Sequence, residues 1–206
     1  AGVASFKESA ARDGDLEYTR REHRADPARI TAIAARIEAW TKLASKPVAD
    51  HRIAIILSTY PGKAYQMAHA VGLDALASTQ AILADLTEAG YAITPDASDL
   101  ATLRIHWPLA EYRKALANLS EALRKDLQQS WGDPTEDFAF TAIDQGGALV
   151  ALQPERGRTE HRADEYHDLS RCPSHAYVAF YLWLRERGTD ALVHVGAHGT
   201  LEWLPG

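Results

Sequence analysis

The chain has 206 residues, is 46% hydrophobic and 24% charged, and carries a net charge of −6. That length and mixture suit an ordinary soluble globular protein with one large or two small domains, and the acidic balance disfavours nucleic acid or anionic lipid as the main partner. No run approaches the roughly eighteen apolar residues of a membrane span, the start lacks a signal-peptide pattern, and the single cysteine, Cys172, cannot form an internal disulfide; the expected compartment is the cytoplasm.

Residues 1–25 are polar, with a charged run from Arg20 to Arg24 that reads as a solvated segment. Asp26-Pro27 then offers an N-cap followed by proline at the first helical position. Ile30, Ile33, Ile37 and Trp40 recur at helical spacing, which predicts an amphipathic helix with its stripe, Trp40 included, in the core. The helix should stop before Lys46-Pro47, because a residue preceding proline is pushed out of helical geometry. The chain therefore divides into a lead-in with this helix, 1–48, and a region 49–206 that carries the chemistry.

Ile53-Ala54-Ile55-Ile56-Leu57 is apolar throughout, as in a strand covered on both faces of a parallel sheet. Gly62-Lys63 beyond it invites comparison with a phosphate loop. That loop needs a glycine where Leu57 stands and Ser or Thr where Ala64 stands, so nucleotide chemistry must come from elsewhere. Asp74 caps a predicted helix over 75–89, closed by Gly90, and Tyr91-Ala92-Ile93 reads as the next strand, making 52–94 one βαβ unit. Helical patterns at 109–117 and 120–130 end at the turn Trp131-Gly132-Asp133-Pro134.

A strand over 147–152 runs into a loop from Gln153 to Asp168 that includes Arg156, His161 and His167. A helix over 174–187 follows, with Tyr177, Phe180, Tyr181 and Leu184 toward one side, and then a strand over 191–195. The expected fold is α/β, a mostly parallel sheet of two βαβ-type units with flanking helices. The loops after its last two strands would face one cleft, where open α/β sheets bind ligands.

The closing stretch, from His194 to Gly206, holds two histidines four residues apart and Glu202 four further on, the pattern of a metal-binding helix face. Gly196 and Gly199 argue against a helix, since each costs about 1 kcal/mol there relative to alanine. A strand ending near Val195, with a loop presenting His198 and Glu202, fits better. His194, inside an apolar strand, reads by default as a satisfied buried histidine. His167 and His175 read as hydrogen-bonding residues beside a turn, and Cys172 as a free thiol. A zinc hydrolase is disfavoured by the same glycines.

The motif His194-Val195-Gly196-Ala197-His198-Gly199-Thr200-Leu201-Glu202-Trp203-Leu204-Pro205-Gly206 resembles the signature of the family of aerobic cobaltochelatase large subunits (CobN) and magnesium chelatase H subunits. Further blocks match in the same order: Tyr60-Pro61, Val71-Gly72-Leu73-Asp74, Gly90-Tyr91, Trp131-Gly132, Gln153-Pro154 with Arg156-Gly157, Tyr166-His167-Asp168 and Pro173-Ser174-His175-Ala176-Tyr177. Trp203-Leu204 is similar to the cobalt branch, whereas Ala197 and Thr200 stand where cobalt-type members often carry Lys and Asn. Those subunits are several times longer, so the chain is expected to be an internal piece of one.

The resemblance implies insertion of Co²⁺, as substrate ion, into a corrinoid precursor, hydrogenobyrinic acid a,c-diamide. ATP and Mg²⁺ would be bound by AAA+-type partner subunits of the CobS and CobT kind, and this piece alone would be inactive. His198 and Glu202 are then expected as the metal-escort and proton-accepting pair, with His194 in support. Arg156 would meet an acidic side chain of the tetrapyrrole, and Gln153, His167 and His175 would line its cleft. The alternatives are a magnesium-type subunit acting on protoporphyrin IX and a non-catalytic tetrapyrrole-binding or assembly module.

Overall fold

A computed structural model describes residues 12–13, 18–19, 25–58, 72–95, 100–157 and 171–196. The chain divides into two compact units, residues 1–46 and 47–206. In the first, β1 (Arg12–Asp13) pairs antiparallel with β2 (Tyr18–Thr19), and α1 spans Pro27–Ser45. Asp26 caps α1 as anticipated, its carboxylate accepting from the backbone N–H of Ala28 at 3.0 Å and of Arg29 at 3.2 Å. The helix gives way at Lys46, which is extended ahead of Pro47. The core placement of its stripe is overturned: Ile30, Ile37 and Trp40 are 44%, 57% and 61% exposed, and no residue of α1 is buried. Periodicity identifies an apolar helix face without identifying the surface which that face meets.

The second unit is built on β3 (Ile53–Leu57), whose five residues are all buried. After it come α2 (Ala75–Glu88), β4 (Ile105–Trp107), α3 (Leu109–Leu116), α4 (Glu121–Trp131), β5 (Phe138–Phe140), β6 (Ala142–Asp144), β7 (Ala148–Leu152), α5 (His175–Glu186) and β8 (Ala191–Val195). Four strands form one sheet in the order β6-β7-β3-β8. β3 runs parallel to β7, from Ile53↔Ala148 to Leu57↔Leu152, and parallel to β8, from Ile53↔Ala191 to Leu57↔Val195. β6 adds an antiparallel edge on β7, and β4 pairs with β5 as a separate antiparallel ribbon. The α/β class with a mostly parallel sheet is as expected from the sequence.

The pairing is not. Residues 91–93 form no strand beside β3 and contribute one antiparallel bridge, Ile93↔Gly146, so 52–94 is not a βαβ unit. Both hydrogen-bonding edges of β3 are taken by β7 and β8. The segment instead holds the turn before β7, with the Thr94 N–H donating to the Gln145 carbonyl and the Gly147 N–H to that of Ala92. The β7-α5-β8 crossover is real, but β3 lies between its two strands.

Because side chains alternate along a strand, β3 feeds two cores. Ala54 and Ile56 face α5, α3 and the β4-β5 ribbon, together with Phe140, Tyr112, Phe180 and Trp183. Ile53, Ile55 and Leu57 face the other side, against Ala75, Ile82, Leu83 and Leu86 of α2. Each buried Ile or Leu contributes roughly 1.5–3 kcal/mol by leaving water. Asp74 caps α2 by accepting from the Ala77 N–H at 2.9 Å. Among the described residues no helix is long and apolar enough to cross a membrane.

Candidate functional site at the carboxyl ends of the parallel strands

Three strands end side by side. Past its last residue β3 stays tied to both neighbours: the Ser58 N–H donates to the Val195 carbonyl at 3.1 Å, and the Gln153 N–H donates to the Leu57 carbonyl at 2.9 Å. The Ser58 hydroxyl adds a second bond to Val195 O at 3.3 Å. The period of two places Ser58, Gln153 and His194 on the face shared by Ile56 and Ala151, which is the face α5 covers.

α5 sets two tyrosines over these ends. Tyr177 and Tyr181 are one turn apart, with ring centroids 5.0 Å from each other. The Tyr181 hydroxyl lies 3.1 Å from His194 Nε2 and also bonds the side chains of Tyr177 and Gln153. Burial, and then the neighbouring Tyr177, hold the Tyr181 phenol well above its ordinary range, with the bond from Gln153 opposing them. One part-buried hydroxyl thus links the end of β7 to the end of β8 across β3.

The loop after β7 is fastened to the start of α5. Ser174 caps the helix, its hydroxyl oxygen accepting from the Tyr177 N–H at 3.2 Å while its proton goes to the Glu155 carbonyl at 2.9 Å. The Ser174 N–H donates to the Arg156 carbonyl at 2.7 Å. The Arg156 side chain is buried, and one guanidinium nitrogen donates to the Arg171 carbonyl at 3.3 Å. Arg156 therefore ties residue 171 to the loop that leaves β7.

His175, the first residue of α5, belongs to a different cluster. Its Nε2 donates to the Gly132 carbonyl at 2.8 Å, since a carbonyl can only accept, and its Nδ1 meets the Tyr112 hydroxyl at 2.6 Å. Tyr112 is itself held far above the ordinary phenol range by burial, with Cys172 adding to the effect. Trp131 donates its indole N–H to the Cys172 carbonyl at 3.2 Å. Burial and then Asp126 push the Cys172 thiol upward, against a hydrogen bond from Ser130. The histidine thus ties α5 to α3 and to the end of α4.

Of the residues singled out in the sequence, Gln153 and His194 are brought together through Tyr181, Arg156 lies just beyond them, and His175 joins the neighbouring cluster. His167, His198 and Glu202 lie outside the described residues, as do Lys63 and His161. Among the described residues no group of three His, Cys, Asp or Glu could hold a metal ion. Sequence reasoning missed Tyr181, Tyr177 and Ser58. The available signal was a pair of hydroxyl-bearing rings four residues apart in the first two turns of an otherwise apolar helix.

The chain matches the CobN/Magnesium Chelatase family over residues 2–206. It is 34% identical to the aerobic cobaltochelatase subunit CobN of Pseudomonas aeruginosa, an alignment covering 98% of this chain and 18% of that protein. The corresponding subunit from Sinorhizobium is 30% identical, with 100% and 18% covered. Among solved structures, the catalytic subunit of cobaltochelatase from Mycobacterium tuberculosis superposes with a TM-score of 0.73 at 29% identity, covering 89% of this chain and 18% of that one. The chain thus spans about a fifth of the length of these relatives. With a family match along nearly its whole length and the same fold in a cobaltochelatase subunit, the chain belongs to the CobN/Magnesium Chelatase family.

Proposed function

We propose that this chain is part of the large, tetrapyrrole-binding subunit of a cobaltochelatase, which inserts Co²⁺ into a corrinoid precursor while AAA+-type partner subunits of the CobS and CobT kind hydrolyse ATP. The observation that carries this reading is the 34% identity to a cobaltochelatase subunit across 98% of the chain. The strand-end cluster of Gln153, Tyr181 and His194 supports it, because it builds a rigid polar edge where open α/β sheets receive ligands.

Metal insertion needs a base for the ring-nitrogen protons and ligands that hold the incoming ion without trapping it. Imidazole and carboxylate suit Co²⁺, and a histidine of ordinary pKa, about 6.5, accepts a proton near neutrality. In this proposal His198 and Glu202 are that pair, four and eight residues past His194. Gln153 and His194 shape the edge beside them, and Arg156 offers a guanidinium to an acidic side chain of the macrocycle. His167 belongs to the cleft wall, while His175 supports that wall from behind through Tyr112 and Gly132.

The test uses the whole subunit with its ATPase partners. His198→Ala and Glu202→Ala should abolish insertion with tetrapyrrole binding retained; unchanged insertion rates remove them from the mechanism. Arg156→Ala should weaken macrocycle binding, and unaltered affinity counts against the carboxylate contact. Titration with a corrinoid precursor and with protoporphyrin, followed by Co²⁺ and Mg²⁺ insertion, separates this reading from the magnesium-type one. Full activity in the double variant would favour a non-catalytic binding module.

A further inference from the structure

His194 is the histidine of the terminal motif whose surroundings are visible, and they limit what it can do. Its Nε2 faces the Tyr181 hydroxyl at 3.1 Å, and the two rings lie 6.5 Å apart between centroids. Its backbone is locked in register with Ile56 of β3, so the ring cannot turn away by moving the strand. We propose that Tyr181, steadied by Gln153, is a positioning residue that fixes the His194 imidazole with its proton on Nδ1 and its Nε2 lone pair occupied. His194 then serves the site through its Nδ1 edge and is not a metal ligand through Nε2.

The direction of the hydrogen bond decides the tautomer. Gln153 Oε1 accepts no hydrogen bond, so the bond between Gln153 and Tyr181 runs from the amide N–H to the phenol oxygen. Tyr181 is partly buried, and that burial holds its proton in place. That proton has two acceptors in reach, the Tyr177 oxygen and His194 Nε2. An imidazole nitrogen is by far the stronger base, so the proton points at Nε2 and the ring hydrogen is left on Nδ1. Tyr177 and Phe180 pack against the Tyr181 ring at 5.0 and 5.3 Å between centroids and hold the hydroxyl at this spot. Groups behind a ligand commonly set ring orientation in this way, and their loss costs on the order of 10–100-fold in activity.

The functional consequence rests on the chelatase reading; the tautomer does not. In the whole subunit labelled with ¹⁵N-histidine, and with His194 assigned through His194→Asn, the wild type should show the Nδ1–H tautomer. Tyr181→Phe keeps the ring packing and removes only the hydroxyl, and should return His194 to a mixture rich in Nε2–H. In the insertion assay Tyr181→Phe should lower kcat roughly ten-fold, with KM for the tetrapyrrole held within about two-fold. His194→Asn, whose amide lies near the Nδ1 position, should retain more activity than His194→Gln, whose amide lies near Nε2. In the His194→Asn background Tyr181→Phe should have no further effect. An Nε2–H tautomer in the wild type, or Nδ1–H retained in Tyr181→Phe, overturns the assignment whatever the activity. A shifted tautomer with unchanged kcat overturns the role of His194 in insertion. The expected tautomers in a subunit that inserts neither metal would sink the chelatase reading and leave the assignment of Tyr181 standing.

Discussion

Ser174 holds two structures together with one hydroxyl, and the two can be separated. As acceptor it caps α5 through the Tyr177 N–H, and as donor it ties down the Glu155 carbonyl in the loop after β7. A cap of this kind contributes about 1 kcal/mol, and a further hydrogen bond about 1 kcal/mol net. Ser174→Ala removes both and should cost roughly 2 kcal/mol, which for a chain of this size is a fall in Tm of about 4–8 °C. Ser174→Asp keeps an acceptor for the cap but has no proton for Glu155, so it should lose only about half as much. Thermal unfolding followed by near-ultraviolet circular dichroism, which reports on the aromatic core of the second unit, gives both values. An Asp variant as unstable as the Ala variant, or an Ala variant within about 0.5 kcal/mol of the parent, would refute the division of labour.

Other consequences can be measured on the same chain. Gly146 has φ +77°, and a Cβ there would sit 2.9 Å from the Ala92 carbonyl, whereas at Gly188, φ +69°, a Cβ would meet open space. Gly188→Ala should therefore cost only about 1 kcal/mol of left-handed strain, and Gly146→Ala visibly more, read from urea unfolding midpoints. Tyr112 and Tyr181 keep their protons in the folded state above the pH at which an unfolded tyrosine ionises, about 10. Their contribution to stability is complete below that pH and should decline as pH rises beyond it, with the phenolate absorbance of both appearing only on unfolding. Ionisation of all tyrosines near pH 10 in the folded chain would contradict their burial. The Cys172 thiol, raised by burial and Asp126, should react with iodoacetamide more slowly in the folded chain than in denaturant at the same pH.

What the sequence revealed depended on how local the signal was. The caps at Asp26 and Asp74 were legible because the side chain bonds backbone two or three residues away. The apolar run of β3 was legible because it is buried on both faces and needs no alternation. β4, β5 and β6 are three residues each, too short for any period, and were not anticipated. Tyr91-Ala92-Ile93 has the composition of a strand, yet which segment gains the edges of β3 is settled by pairings with residues 148 and 191, and no local pattern reports that competition. In the site, Gln153 and His194 stood out through a motif, while Tyr181 was hidden. Its hydroxyl earns attention only once α5 is known to lie over the strand ends, because by spacing alone it counts as one more ring on an apolar face.

The central place of β3 also bears on how the chain is made. Ile53 finds its first parallel partner at residue 148 and its second at residue 191. At synthesis rates of roughly 5–20 residues per second, a wholly apolar segment leaves the ribosome several seconds before either flanking strand exists. Closing loops of this length opposes pairing further, and parallel pairing between such distant segments is slow. During that interval Ile53-Ala54-Ile55-Ile56-Leu57 has the composition that favours pairing with other copies of itself. Yield in an expression host should thus respond to chaperone level and translation speed more than folded stability suggests, and a charge placed within 53–57 to prevent aggregation would remove the strand on which the sheet is assembled.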